Sequence, residues 1–144
     1  MKVAEVFYSL QGEGKNQGRP TVFLRLAGCN LACRWCDTPS ARDGGVEWGT
    51  AEVVDAVRAV AGSCRLVCVT GGEPLLRRDL AEIISAVPKS MESSITTNGV
   101  LLKNLAADLR HAGLTRLNVS LDSLNRETYK RITGSDRLDD VLAG

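Results

Sequence analysis

The sequence predicts an α/β fold in which parallel strands are joined by helices. Short β-rich apolar runs alternate with stretches whose apolar residues recur at helical spacing, the mark of parallel βαβ units with right-handed crossovers. The unusual residues (cysteines, paired glycines, clustered polar side chains) follow the strands rather than precede them. That is where such sheets bind ligands, whether open or closed into a barrel.

Thr21–Ala27 is a β-rich run ended by Gly28. After a cysteine-bearing loop and a turn at Gly44 and Gly45, Thr50 can cap a helix. Its residues Val53, Val54, Val57 and Val60 keep helical spacing, and Gly62 stands where a C-terminal cap belongs. Leu66–Val69 reads as a short buried strand. Leu80, Ile83, Ile84 and Val87 mark a second helix, stopped by Pro88. Ser94–Thr96 is a third strand, and Leu102, Leu105, Ala106 and Leu109 mark a third helix closed by Gly113. Leu117–Leu121 is a fourth strand, followed by a polar helical stretch from about Arg126. The cysteine loop, Thr70–Pro74, Thr97–Gly99 and Asp122–Ser123 then share one face of the sheet.

Composition narrows the function. The 144 residues are 44% apolar and 24% charged, ordinary for a globular protein, and residues 1–144 are expected to form a single domain. Eighteen Lys and Arg against 17 Asp and Glu leave a charge of +1, without the basic surplus from which a nucleic-acid reading starts. Aromatics, at 4%, are too few for a base-stacking platform. No apolar run approaches the roughly 18 residues of a membrane span, and Met1–Glu5 has no signal-peptide core. A cytoplasmic protein with neither nucleic-acid nor membrane partners is expected.

Three of the five cysteines crowd into Cys29-x-x-x-Cys33-x-x-Cys36. An odd count without a secretion signal argues for reduced, ligand-binding thiols rather than a disulfide framework. Soft sulfur selects zinc or an iron–sulfur cluster. Structural zinc takes four protein ligands, whereas Cys64 and Cys68 lie at the second strand without a second Cys-x-x-Cys. Cys68 reads as a core residue, Cys64 as a loop thiol without a role, and His111 as a surface residue near a helix C-terminus. Three thiolates on a [4Fe–4S] cluster leave one iron open to a small molecule; zinc or purely structural cysteines are the alternative.

The loop, with Trp35 before its last cysteine, resembles that of radical S-adenosylmethionine (SAM) enzymes, and Gly71-Gly72-Glu73-Pro74 after the second strand strengthens the resemblance. It covers nearly the whole chain. It implies a [4Fe–4S] cluster on Cys29, Cys33 and Cys36, whose open iron is chelated by SAM. An electron from the cluster then cleaves SAM to a 5′-deoxyadenosyl radical that abstracts a substrate hydrogen. It also implies a partial (β/α) barrel of parallel strands. Such barrels usually have six strands, so this one is expected to be truncated after about four.

The resemblance gives Gly71, Gly72 and Glu73 the ammonium of SAM, and glycines there let the backbone approach a ligand. The alternative is an ordinary turn with a surface glutamate. Trp35, Thr97, Asn98 and Ser120 join the cofactor-binding set. On the fourth strand Leu117, Val119 and Leu121 share one face and Asn118, Ser120 and Asp122 the other. That polar row either lines a ligand cavity or meets solvent at a sheet edge.

Residues 5–14, 18–21, 23–31 and 33–38, among them Gln11-Gly12-Glu13-Gly14 and Cys33-Arg34-Trp35-Cys36-Asp37-Thr38, closely resemble the 7-carboxy-7-deazaguanine synthase family. That family implies a radical ring contraction of 6-carboxy-5,6,7,8-tetrahydropterin to 7-carboxy-7-deazaguanine, for queuosine or archaeosine, with Mg²⁺. Arg25, the single charge of its strand, can hold a carboxylate through two parallel hydrogen bonds. Gln11, Gly12 and Glu13 would meet the pterin edge, and Thr38 matches the position that contacts Mg²⁺. An internal salt bridge for Arg25 and plain turn chemistry for the Gln-Gly-Glu-Gly loop are the alternatives.

The second half, Thr96–Gly99, Asn118–Ser123 and Arg131–Gly134, looks more like the GTP 3′,8-cyclases of molybdenum-cofactor synthesis. The lyase reading of the first half is preferred because the substrate-binding residues are strongest there; a cyclase, or a non-catalytic cluster- or zinc-binding fragment, is the alternative. The implied partners are a pterin-like small molecule and an electron donor such as flavodoxin or ferredoxin. An uncovered fourth strand would invite association, for example as a homodimer.

Overall fold

The computed structural model describes residues 2–144. Four strands run parallel, at the four expected places: β2 (Pro20–Leu26), β4 (Leu66–Thr70), β5 (Glu92–Thr97) and β6 (Arg116–Val119). Two more extend the sheet. β1 (Lys2–Leu10) lies antiparallel to β2, and the short β3 (Val46–Glu47) pairs with β1, giving the order β3-β1-β2-β4-β5-β6. The sequence reading missed β1 because its pairing shifts between Val3 and Glu5 and most of its side chains face solvent, which breaks the alternation of a half-buried strand.

Helices α2 (Thr50–Ala61), α3 (Leu80–Ala86) and α4 (Leu102–His111) pack on one face of the sheet. Val22, Leu24, Leu26, Val67, Val69 and Ile95 supply the strand side of this core, and Val53, Val57, Ile83 and Leu109 the helix side. Gly49 rather than Thr50 precedes the first turn of α2, its N–H donating to Glu52 Oε2 at 2.7 Å. Thr50 is helical, and its hydroxyl donates to Asp79. The strand register puts Phe23, Cys68, Ser94 and Arg116 in one row across the opposite face.

The fourth parallel strand ends at Val119, so Ser120, Leu121 and Asp122 lie in the following loop rather than on its faces. Leu117 and Val119 point to the helix side but are 38% and 41% exposed, because β6 is the edge of the sheet. Two short helices, α5 (Arg126–Thr133) and α6 (Leu138–Leu142), return to the cysteine loop. No described helix is long and apolar enough to cross a membrane.

Candidate functional site

The cysteine loop follows β2 and is fixed at three points. Gly28 N donates to Ala41 O (2.8 Å) of α1 (Ser40–Asp43), and Gly28 O accepts from Glu73 N at 2.8 Å. Ala32 N and Arg34 N donate to the carbonyls of Thr133 and Ile132 at 3.0 and 2.9 Å. Leu31, Val100, Tyr129, Leu138 and Val141 form a small core against which Cys29 and Cys33 pack. Cys29, Cys33 and Cys36 are half-buried free thiols, and Leu31 N donates to Cys29 Sγ at 3.4 Å. Burial pushes the Cys29 and Cys33 thiols up; the Glu73 carboxylate adds to the rise at Cys29, and the neighbouring cysteines add to it at both.

That mutual repulsion is what a bound cation relieves, so the donor set fits a metal group. Among the described residues no group of three or more Cys, His, Asp or Glu side chains stands ready to hold a single metal ion. Three thiolates of one loop are the usual donor type for an iron–sulfur cluster. A buried hydroxyl without a partner, Tyr129 Oη, lies in the same small core. Trp35, in the same loop, is 63% exposed.

The Gly-Gly-Glu turn after β4 packs directly on this loop. Gly71 and Gly72 have φ of +71° and +47°, and a Cβ on Gly72 would stand 2.3 Å from Gly28 O. Glu73 is buried rather than presented to solvent. Its Oε1 accepts from Thr97 Oγ1 (2.6 Å) and Leu75 N (2.9 Å), and its Oε2 from Asn98 N (2.7 Å). Burial raises its carboxyl above the usual value against those three bonds. The turn thus offers a ligand its backbone, while the carboxylate braces the ends of β4 and β5. Asn98 Nδ2 donates to Asn30 Oδ1 at 2.7 Å, tying the third loop to the first. Ser120 is exposed, its N–H donating to Thr97 O at 2.8 Å. Thr38, half-buried, donates to Asp37 Oδ1 at 2.9 Å.

On the sheet face opposite the helices, the β1–β2 connection crosses toward β6. Gln11, Glu13, Lys15, Ser94, Arg116 and Asn118 line a cavity of about 310 Å³ there. Gly12 lies in the same connection, with open space where a Cβ would be. Glu92 secures the crossing: its Oε1 meets Arg19 Nη1 at 3.3 Å and its Oε2 meets Arg116 Nε at 3.0 Å. Arg25 is not in this lining. It pairs with Glu5 across the β1–β2 register and lies 5.0 Å over the Phe7 ring, which stacks on Phe23. Glu5, Lys15 and Arg116 escaped the sequence reading; seeing β1 as a strand paired with β2 would have revealed Glu5. Cys64 lies in the loop before β4, as expected, but is buried there, with Sγ 3.1 Å from Pro20 O. Cys68 is a core residue, and His111 ends α4 exposed to solvent.

The model of the radical SAM superfamily matches residues 24–144. A 7-carboxy-7-deazaguanine synthase of Methanospirillum hungatei is 40% identical over 148 residues, covering 94% of this chain and 62% of its own. A probable GTP 3′,8-cyclase of Archaeoglobus fulgidus is 43% identical over 131 residues, 88% of this chain and 44% of its own; that of Methanopyrus kandleri is 48% identical over 118 residues, 81% and 38%. The chain therefore spans less than two thirds of the length of these relatives. The crystal structure of QueE from Escherichia coli superposes with a TM-score of 0.53 at 28% identity, over 69% of this chain and 53% of that one. Streptococcus suis SuiB, at 21% identity, shares the fold with a TM-score of 0.65 over 82% of this chain and 27% of its own. The family carries a [4Fe–4S] cluster and SAM, which the three thiols of this loop fit. With 121 of its 144 residues inside the matched segment, this chain belongs to the radical SAM superfamily.

Proposed function

We propose that the chain carries out 7-carboxy-7-deazaguanine synthase-type chemistry, a radical rearrangement of 6-carboxy-5,6,7,8-tetrahydropterin. What carries the reading is the polar cavity into which the β1–β2 connection brings Gln11 and Glu13. The match to the synthase takes in 94% of the chain, against 88% and 81% for the two cyclases. When bound, the cluster and SAM supply the radical; the protein's part is to hold and orient. Cys29, Cys33 and Cys36 would hold the cluster. The Gly71–Gly72 backbone, Trp35, Asn98 and Ser120 would border SAM, with Glu73 and Thr97 bracing that border from within. Gln11, Gly12 and Glu13 would take the pterin edge, Arg25 its carboxylate and Thr38 a Mg²⁺ ion. An external electron donor of the flavodoxin or ferredoxin kind is needed.

The 40–48% identity spread over one synthase and two cyclases supports a second reading, a GTP 3′,8-cyclase-like enzyme. Anaerobic reconstitution with iron and sulfide, then SAM, dithionite and Mg²⁺, separates the two. The proposal expects consumption of the carboxypterin and release of 5′-deoxyadenosine, with GTP unchanged. A cyclised GTP product with the carboxypterin untouched would favour the second reading. Cys29→Ala, Cys33→Ala and Cys36→Ala should each lose most of the bound iron. Cys64→Ala should keep it.

A further inference from the structure

Tyr129, on α5, is 2% exposed, and its hydroxyl is buried without a hydrogen-bond partner among the described residues. Such a group costs the full loss of its bonds to water, so a native fold retains it where something absent from the bare chain satisfies it. The polar groups around it are engaged elsewhere. Thr133 Oγ1 lies within reach of Tyr129 O (2.9 Å) and Ser135 O (3.0 Å), and Arg137 pairs with Asp140. What remains is the cysteine loop. Cys29 and Cys33 pack against the small core that contains Tyr129, and α5 carries the carbonyls that anchor Ala32 and Arg34.

We propose that Tyr129 is a positioning residue for the cluster, its hydroxyl donating to the Cys33 sulfur once Cys33 ligates iron. This rests on the reading that Cys29, Cys33 and Cys36 carry the cluster. It adds to that reading a residue 96 positions away in sequence from Cys33. A donor on a ligating sulfur stabilises the more negative, reduced cluster, and so raises its potential and slows loss of iron.

The test is Tyr129→Phe, which removes one oxygen and keeps the ring. Without metal, the variant should be as stable as the wild type or more so, since an unpaired buried hydroxyl is gone. Loaded with the cluster, its midpoint potential should be more negative, and iron should pass to a chelator about tenfold faster, the equivalent of one hydrogen bond. On the wild type itself, pulsed electron paramagnetic resonance of the reduced cluster in D₂O should detect an exchangeable deuteron that the variant lacks. An unchanged potential and unchanged iron release would overturn the proposal, as would marked destabilisation of the metal-free variant, which would reveal a partner within the protein. A wild-type chain that takes up no iron would sink the cluster reading itself, and this proposal with it.

Discussion

Thr97, the last residue of β5, donates its hydroxyl to Glu73 at 2.6 Å, so a buried carboxylate joins the ends of two neighbouring strands. Both side chains are buried, in the two segments that the resemblance assigns to SAM. Replacing Thr97 with Val keeps the shape and removes the donor. The carboxylate then keeps only two backbone donors, and a hydrogen bond to a charged group is worth about 1.5–3 kcal/mol. Urea unfolding should show a loss of that size for Thr97→Val, and most of it restored in Thr97→Ser. Equal stability of all three would mean that the brace contributes nothing.

The parallel strands, their helices and the cysteine loop were legible because each leaves a local signature: period 2 or 3.6, a capping glycine, a ligand spacing. The roles of Glu73, Thr97, Glu5 and Tyr129 were not. Each depends on a contact between segments distant in sequence, and an inward-turned glutamate looks the same in sequence as one facing a ligand. The irregular pairing of β1 hid Glu5 in particular, since only the register sets it opposite Arg25.

Gly72 tests how tightly the Gly-Gly-Glu turn must sit on the cysteine loop. A Cβ there would meet the Gly28 carbonyl, and φ is already in the left-handed region. Gly18 shares the second condition, with φ +78°, but has nothing within 4 Å. Gly18→Ala should therefore cost only the backbone strain, about 1–2 kcal/mol. Gly72→Ala should cost more and should also reduce iron uptake, because the turn can relieve the clash only by moving off the residue that precedes Cys29. Equal costs with iron content unchanged would count against this coupling.

Arg77 and Asp79 give the fold a pH dependence. The Arg77 side chain is fully buried, and Asp79 accepts from its Nε at 2.5 Å and its Nη2 at 2.7 Å. Burial works against the Asp79 charge, but the bonds from Arg77 and Thr50 outweigh it and hold the carboxyl below its usual value. The unfolded chain then binds the proton more readily, so the stabilisation is full above about pH 3.9 and is lost as pH falls through the lower folded value. Asp79→Asn should cost about 1.5–3 kcal/mol at pH 7, because it removes the charged acceptor of two hydrogen bonds from a buried guanidinium. The gap between the two urea midpoints should narrow in acid below about pH 3.9. A gap independent of pH would assign the loss to packing instead.

The role proposed for Arg25 would make Glu5 a competitor of the substrate. Within the chain the guanidinium pairs with Glu5 and rests on Phe7. Glu5 is about half exposed, so the pair should add no more than about 1 kcal/mol to stability. If that were its whole purpose, Arg25→Ala and Glu5→Ala would produce similar small losses and leave substrate use alone. A guanidinium that receives the carboxylate of a pterin must instead release or share Glu5, which then competes with the substrate. Arg25→Ala should then raise KM for the carboxypterin by roughly 30-fold or more, since losing one partner of a desolvated charge pair costs about 2–5 kcal/mol. Glu5→Gln should act in the opposite sense, lowering KM because the competing charge is gone while the side chain can still accept one hydrogen bond. Iron content and SAM cleavage without substrate should be unchanged in both variants. A rise in KM for Glu5→Gln as well would make Glu5 a partner of the substrate rather than its competitor; no change in either variant would return Arg25 to a structural role.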